Sequence, residues 1–493
     1  MLLAGWYGMI MNRKQEWGAA MKHNRIFWGL TAFLLLCKYA FLGLRYYPLL
    51  DDHIMYISYP YYDKSYLFFG IQNYRVRPLA AFLDIYVWSY FENHTFLLLL
   101  LITAMQFFTI YLLAKLFQKI GFSITPALVL VCLFFPLGLE ATYWLAAATR
   151  IVVSMFLMAA GLWFLSQKKW RMHWLLFGLC NLLSFLFYEQ VIALSFFLSL
   201  FFIDRMRCPK RYFIFPCVNL SLVGIYYIIF SNGGVNAGRS QLVGSDFFVH
   251  TFRVFREMAV CWYRGTVPLL KNGFLRGIEF LSSNIWGLLF FVLILVAAAF
   301  FGWLCSRQEK IKPPIKLFLT GLAFFIIPYL PFFLLDQISL PFRSAYPAFI
   351  GLACMVSALL SLIPKRTACV IFSICLTLFM VVNISELNDI KTVSQIDHTI
   401  LENIATALEG EDLSQHSVLL LDAKWCYMTP SVSHNEHFYN LTQSDWGMTG
   451  GMRGYLKDAK VKKITPDPAI LEQEPDTIVL RIKDRFQVEK VKN

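Results

Sequence analysis

Long apolar runs recur along this chain, many of them close to the roughly 20 residues a helix needs to cross a bilayer. They cover Ile26 to Leu44, Phe96 to Phe117, Phe122 to Leu137, Arg150 to Leu165, His173 to Tyr188, Val191 to Ile203 and Tyr212 to Phe230. Four more run from Asn284 to Cys305, Leu317 to Leu335, Ala345 to Ile363 and Ala368 to Asn383. A chain that is 58% hydrophobic and only 15% charged is too apolar for a soluble fold. The expectation is an all-α polytopic membrane protein of about eleven transmembrane helices, several short or tilted. The brief apolar stretch Pro78 to Phe91 reads as an interfacial helix leading into the second span.

Orientation follows from lysine and arginine, because cationic loops resist translocation. Arg13, Lys14, Lys22 and Arg25 precede the first span, Lys115 and Lys119 follow the second, and Lys168, Lys169 and Arg171 follow the fourth. Arg205, Arg207, Lys210 and Arg211, then Arg307, Lys310, Lys312 and Lys316, then Lys365 and Arg366, follow the sixth, eighth and tenth. All fall on one side, expected to be the cytoplasm. The net charge of +13 is then largely topological and favours anionic headgroups, so membrane lipids are expected partners and nucleic acid is not. Residues 1–25 form a cytoplasmic N-terminal segment without a signal-peptide layout. Residues 26–385 form the membrane domain.

From residue 386 to 493 the composition turns charged, and β-like runs appear in HSVLLLDAKW and DTIVLRIKDRFQVEKV. This tail is expected to be a small α/β extracytoplasmic domain. Of the eleven cysteines only Cys261 and Cys426 would face outward, too few for a disulfide framework. Asn440 in NLT fits a glycosylation sequon, and HNEH at 434–437 lacks the helical spacing of a zinc site and reads as a polar loop. The external segment that starts at Ser231 opens with the glycine-rich SNGGVNAGRSQ. It continues as HTFRVFREMAVCWYRG, which has the spacing of an amphipathic surface helix.

The same topology gathers unusual polar residues on the external face. Asp51 and Asp52, adjacent in LLDDHIMY, follow the first span, and Arg75 and Arg77 lie in NYRVRPLAAF at the end of that loop. Glu140, Tyr143, Trp144 and Arg150 lie in LEATYWLAAATR, Tyr188 and Glu189 in FYEQ, and Asp336, Arg343 and Tyr346 in DQISLPFRSAYP. Loops are polar simply because they meet water. That explanation weakens for Glu140, Arg150 and Glu189, whose turns are too short to extend into solvent. Ionisable groups at membrane helix ends are costly unless paired or hydrated, which makes their clustering a functional signal.

An acidic pair after the first span, a later Arg-Pro, a Tyr-Trp in the second external turn and a Tyr-Glu in the third resemble the GT-C class of polytopic membrane glycosyltransferases. The nearest group is bacterial and related to protein O-mannosyltransferases and lipid A aminoarabinose transferases. The resemblance covers roughly residues 26–385. It implies GT-C-like external loops in the cytoplasmic membrane, and sugar transfer from a polyprenyl-phosphate-linked donor to an extracytoplasmic glycan, lipid or protein acceptor.

It also implies that Asp51 or Asp52 is the general base for the acceptor hydroxyl, near the positive charge that grows on the sugar. Arginine suits the phosphate leaving group, with Arg343 first and Arg75, Arg77 and Arg150 behind it. Glu140 and Glu189 would bind sugar hydroxyls, and Tyr143, Trp144, Tyr188 and Tyr346 would line the same rim. The aromatics also fit an interfacial belt, and Arg77-Pro78 a simple helix start. No cofactor is expected, and a divalent metal is not favoured because an adjacent acidic pair needs further ligands. The alternative functions are a lipid-linked sugar flippase or other transporter, and a non-enzymatic export or sensor subunit.

Overall fold

The computed structural model describes residues 24–70, 73–75, 77–230, 242–244, 246–305, 314–336, 340–428 and 439–491. Residues 1–23 of the N-terminal segment, SNGGVNAGRSQ, HNEH, Arg307, Lys310 and Lys312 lie outside the described residues.

Apolar helices make up most of the architecture. Helix α1 (Asn24–Leu42) is followed by a loop containing a π-helical turn, His53–Ser58, and then by α2 (Pro78–Tyr86). Helix α2 starts at a proline, whose missing N–H is no loss in a first turn. After α3 (Thr95–Lys119), α4 (Thr125–Val129) runs into a second π-turn, Leu130–Phe134, and the chain resumes as α5 (Leu139–Thr142) with a bend of 55°. Pro136 sits at that break, where it removes a helical hydrogen bond.

The bundle continues with α6 (Leu145–Ser166), α7 (His173–Phe185), α8 (Glu189–Arg205), α9 (Ile214–Phe230), α10 (Phe247–Ser282) and α11 (Ile285–Cys305). Then come α12 (Pro314–Ile326), α13 (Leu330–Leu334), a 3₁₀ stretch Phe342–Ala348, α14 (Phe349–Leu360) and α15 (Lys365–Ala407). Among the described residues eight helices are long and apolar enough to cross a membrane, or nine if the bent pair is one span. The two remaining runs of the expected eleven are α7 and α8, helices of 13 and 17 residues, shorter than a straight crossing asks for.

Two ends of the bundle are distinct. Lys119 Nζ donates to Ser166 O at 2.6 Å and Lys168 Nζ to Met206 O at 3.1 Å, so the C-terminal ends of α3, α6 and α8 meet at a basic end. Helices α6 and α8 begin at the opposite end, where the polar residues of the turns expected to be external gather.

The C-terminal half of the chain departs from the sequence reading in three places. Helix α10 is a single helix of 36 residues whose buried stripe runs from His250 through Val254, Met258, Cys261 and Gly265 to Leu281. Cys261, expected to face outward, is therefore buried in the seam. Helix α15 spans 43 residues, about 65 Å at 1.5 Å per residue, and overshoots a bilayer core of about 30 Å. It runs unbroken through residues 385 and 386, so the composition shift marks a point within a helix instead of a linker. Asn440 is fully buried, with Nδ2 on Asp397 Oδ1 at 3.0 Å and Oδ1 accepting from Tyr427 N at 2.9 Å, which leaves no room for a glycan.

Beyond α15 the chain forms a four-stranded sheet in the order β2-β1-β3-β4. Strand β1 (Val418–Leu421) pairs in parallel with β2 (Ile464–Thr465) and β3 (Ile478–Ile482), and β3 pairs antiparallel with β4 (Val488–Lys490). Helix α16 (Asp445–Leu456) is capped by Ser444 Oγ, which accepts from Gly447 N at 3.0 Å.

Candidate functional site

Asp51 and Asp52 are neighbours in sequence that point in opposite directions. Leu50 has φ of +35°, in the left-handed region unusual for a leucine, and Asp52 N closes the turn on Leu49 O at 2.8 Å. Helix α6 starts at Trp144 with no side-chain cap of its own. Its first free N–H groups are satisfied from the loop after α1: Leu145 N donates to Tyr46 Oη at 3.0 Å and Ala146 N to Asp52 Oδ1 at 2.8 Å. Asp52 Oδ2 accepts from Leu49 N at 3.0 Å and from the Tyr46 hydroxyl. Asp52 thus caps a helix remote in sequence and locks the loop onto α6. It has no exposed surface, and burial pushes its carboxyl up to about 7, against the pull of those three hydrogen bonds. Asp51 turns outward, half-buried, and its Oδ1 accepts from Trp446 Nε1–H at 3.0 Å.

Beside this turn three ion pairs tie together segments remote in sequence. Arg77, at the start of α2, grips Glu189, the first residue of α8, through Nε–Oε2 at 2.8 Å and Nη2–Oε1 at 2.5 Å. Its guanidinium lies over the Tyr188 ring at 4.7 Å. Arg150, one turn into α6, donates Nη2 to Asp84 Oδ2 at 3.1 Å, and its Nε is buried without a hydrogen-bond partner. Arg343 donates Nη1 to Glu140 Oε1 at 2.6 Å and lies over the Trp144 ring at 4.9 Å.

The pairs form one cluster. Tyr188 lies within electrostatic reach of Arg77, Glu189, Arg343 and Glu140, Glu189 within reach of Arg150, and Asp84 within reach of Arg77. The helix break before Glu140 and the helix starts at Glu189 and Pro78 bring these side chains to one rim. The three arginine side chains are 22%, 19% and 22% exposed, so each meets solvent while Asp84 and Glu140 are almost wholly buried.

Not every candidate joins this rim. Tyr143 is fully buried, accepts from Tyr47 N at 3.1 Å and packs on the Tyr46 ring at 5.0 Å. Tyr346 is also buried, donating to Cys132 O and accepting from Gln106 Nε2, both at 3.1 Å. These two tyrosines hold the core together and present no ring to a ligand. Arg75 lies apart, near the end of α9, where Tyr226 donates to Tyr74 O at 2.6 Å; its Nε is buried without a partner. Asp336 is exposed at the end of α13.

Asp84 is the residue that sequence reasoning missed. The signal was present: one acid inside the apolar helix PLAAFLDIY. Asp84 also accepts from Tyr56 Oη at 3.4 Å, and that hydroxyl lies 2.9 Å from Thr149 Oγ1.

Arginine forks, buried carboxylates and flanking aromatic faces make a rim suited to an anion joined to a polar ring. The buried Nε of Arg150 is a strong donor without a hydrogen-bond partner among the described residues. Among the described residues no group of three or more His, Cys, Asp and Glu side chains is placed to hold a metal ion. No protein-family model matches the chain, and neither a curated protein nor a solved structure matches it.

Proposed function

We propose that this protein is a membrane glycosyltransferase of the GT-C type, moving a sugar from a polyprenyl-phosphate donor to an acceptor outside the cytoplasmic membrane. The observation that carries the reading is the convergence of Arg77, Arg150 and Arg343, each with a carboxylate, at the end of the bundle opposite the basic turns. On this reading the basic end is cytoplasmic, all eleven apolar runs cross the membrane, and the sheet with α16 lies outside.

Asp51 is the base in this scheme, because both oxygens of Asp52 are taken by three donors and none of its surface is open. The acceptor hydroxyl loses its proton to Asp51 as its oxygen bonds to the anomeric carbon. The bond from that carbon to the phosphate oxygen breaks, and its electron pair leaves on the lipid phosphate. Arg343 and Arg150 stabilise the charge that gathers there, since an arginine stays protonated throughout. Glu189 and Glu140 hold the arginine forks in place, and Trp144 and Tyr188 supply apolar faces beside them.

A second reading, a lipid-linked sugar flippase, is favoured by one observation, the 55° break between α4 and α5, because broken helices line transport sites. One experiment separates the two. Purified protein in proteoliposomes is given radiolabelled polyprenyl-phosphate monosaccharides, and both cleavage of the donor and its movement between leaflets are followed. Cleavage that Asp51→Asn abolishes supports the transferase. Movement of intact donor, unaffected by Asp51→Asn, supports the flippase instead.

A further inference from the structure

Helix α16 lies along the loop that carries Asp51. Trp446, Gly450, Arg453 and Gly454 recur at three- and four-residue steps and so share one face of the helix. Each touches the segment from 51 to 62. Trp446 Nε1–H donates to Asp51 Oδ1 at 3.0 Å, Arg453 donates to Tyr62 Oη, and the two glycines rest on Ile54 and Ile57. A Cβ on Gly450 would stand 2.7 Å from Ile54 Cγ1 and one on Gly454 2.1 Å from Ile57 Cγ2, so this approach requires glycine. The segment leading into α16 is pinned to α15, where Asp397 Oδ1 accepts from Asn440 Nδ2 and Leu441 N, both at 3.0 Å.

Trp446 is therefore held on a fixed helix, yet 58% of it is exposed. An indole whose N–H is committed to a carboxylate and whose ring stands in water offers an apolar face beside a proton acceptor. A sugar ring has the matching chemistry: a C–H face to pack on the indole and a hydroxyl to meet the carboxylate.

We propose that Trp446 is the positioning residue for Asp51 and that its exposed ring seats a carbohydrate acceptor. The proposal rests on the transferase reading and narrows its acceptor from glycan, lipid or protein to a saccharide. With Oδ1 held by the indole N–H, Oδ2 takes the proton of the acceptor hydroxyl while that oxygen bonds to the anomeric carbon and the lipid phosphate departs with the electron pair.

The test uses the purified full chain, a panel of synthetic polyprenyl-phosphate glucose, mannose, galactose and aminoarabinose, and either water or simple disaccharides as acceptors. Trp446→Phe keeps the ring and loses the N–H. Its kcat should fall about 10- to 100-fold for both acceptors, with a moved basic group in the pH–rate profile and an unchanged disaccharide KM. Trp446→His, which restores a ring N–H, should recover much of that rate. Trp446→Phe combined with Asp51→Asn should be no slower than Asp51→Asn alone, because the two act as one unit. Trp446→Ala should also raise the disaccharide KM about tenfold.

A Trp446→Phe protein with wild-type rate and pH profile, effects that multiply with Asp51→Asn, or an unchanged KM in Trp446→Ala would each overturn the proposal alone. A wild type that leaves every donor intact overturns the transferase reading and this proposal with it.

Discussion

Two groups of ion pairs among the described residues are built differently. At the rim, Arg77 pairs with Glu189, Arg150 with Asp84 and Arg343 with Glu140, the arginine side chains being 19–22% exposed, close to the 17% of Arg276. Between α10 and α15 a single arginine, Arg276, binds two carboxylates, Glu386 at 2.8 Å and Asp389 at 2.9 Å. The rim joins short turns and helix starts with aromatic faces over the cations. The second set joins two long helices at a seam where Gly273 lies against Val382 and Gly277 against Val381. The chemistry is the same; what differs is where the backbone goes. Charges along a helix–helix seam act as a strut, whereas under the proposed function the charges at converging helix starts receive the donor's phosphate.

The difference can be broken or sharpened by substitution. The largest effect is expected for Asp51→Asn, which should lower sugar transfer about 10³-fold while the protein still folds, measured as donor cleavage and thermal unfolding in detergent. Next comes Arg276→Ala in the strut. It leaves two buried carboxylates uncompensated and should cost about 3–5 kcal/mol of stability, read by denaturant or thermal unfolding, with transfer per folded molecule unchanged.

The rim should respond in the opposite sense. Replacing both partners, Glu140→Gln with Arg343→Gln, removes a pair without stranding a charge. Stability should change by less than about 1.5 kcal/mol while transfer falls about 10²-fold. If the rim double variant only unfolds and the strut variant only loses activity, the assignment of the two sets is reversed.

Asp52 gives a smaller and pH-dependent effect. Its carboxyl is pushed up to about 7 in the folded chain by burial, above the roughly 3.9 of an unfolded one. A raised value means that its contribution to stability is fully present below about pH 4 and is lost as the pH rises through about 7. Wild type should therefore lose thermal stability from about pH 4 to about pH 7, and little more above that, relative to Asp52→Asn, whose side chain does not titrate. Asp52→Asn should itself cost about 1–3 kcal/mol near neutral pH, since its amide turns a donor toward other donors. The smallest change is Tyr143→Phe, which removes a hydroxyl that accepts from Tyr47 N at 3.1 Å and donates to Tyr47 O at 3.4 Å, at about 1 kcal/mol, and should leave sugar transfer alone.

Much of the rim was legible in the sequence because it broke local expectation: Glu140, Arg150 and Glu189 are ionisable groups in turns with no length to spare. Direction was not legible. Tyr143 and Tyr346 sit in the same turns as Glu140 and Arg343, and only the packing of the bundle turns them inward. Asp51 and Asp52 look alike in LLDDHIMY, and it takes the left-handed Leu50 and the bare start of α6 to separate a cap from an exposed carboxylate. Trp446 carried no local signal, because its contact with Asp51 spans 395 residues. The long apolar helices were legible from hydropathy, except that α7 is shorter as a helix than as an apolar run, since Leu186 to Tyr188 form a turn before α8.

The measurement that tests the account most directly is equilibrium binding of polyprenyl phosphate to the purified protein, with wild type set against the Glu140→Gln, Arg343→Gln variant. Saturable binding that weakens about tenfold or more in the variant is the predicted result, as expected for loss of a charge-assisted contact. Equal affinity in the two proteins would contradict the claim that the rim receives the lipid phosphate.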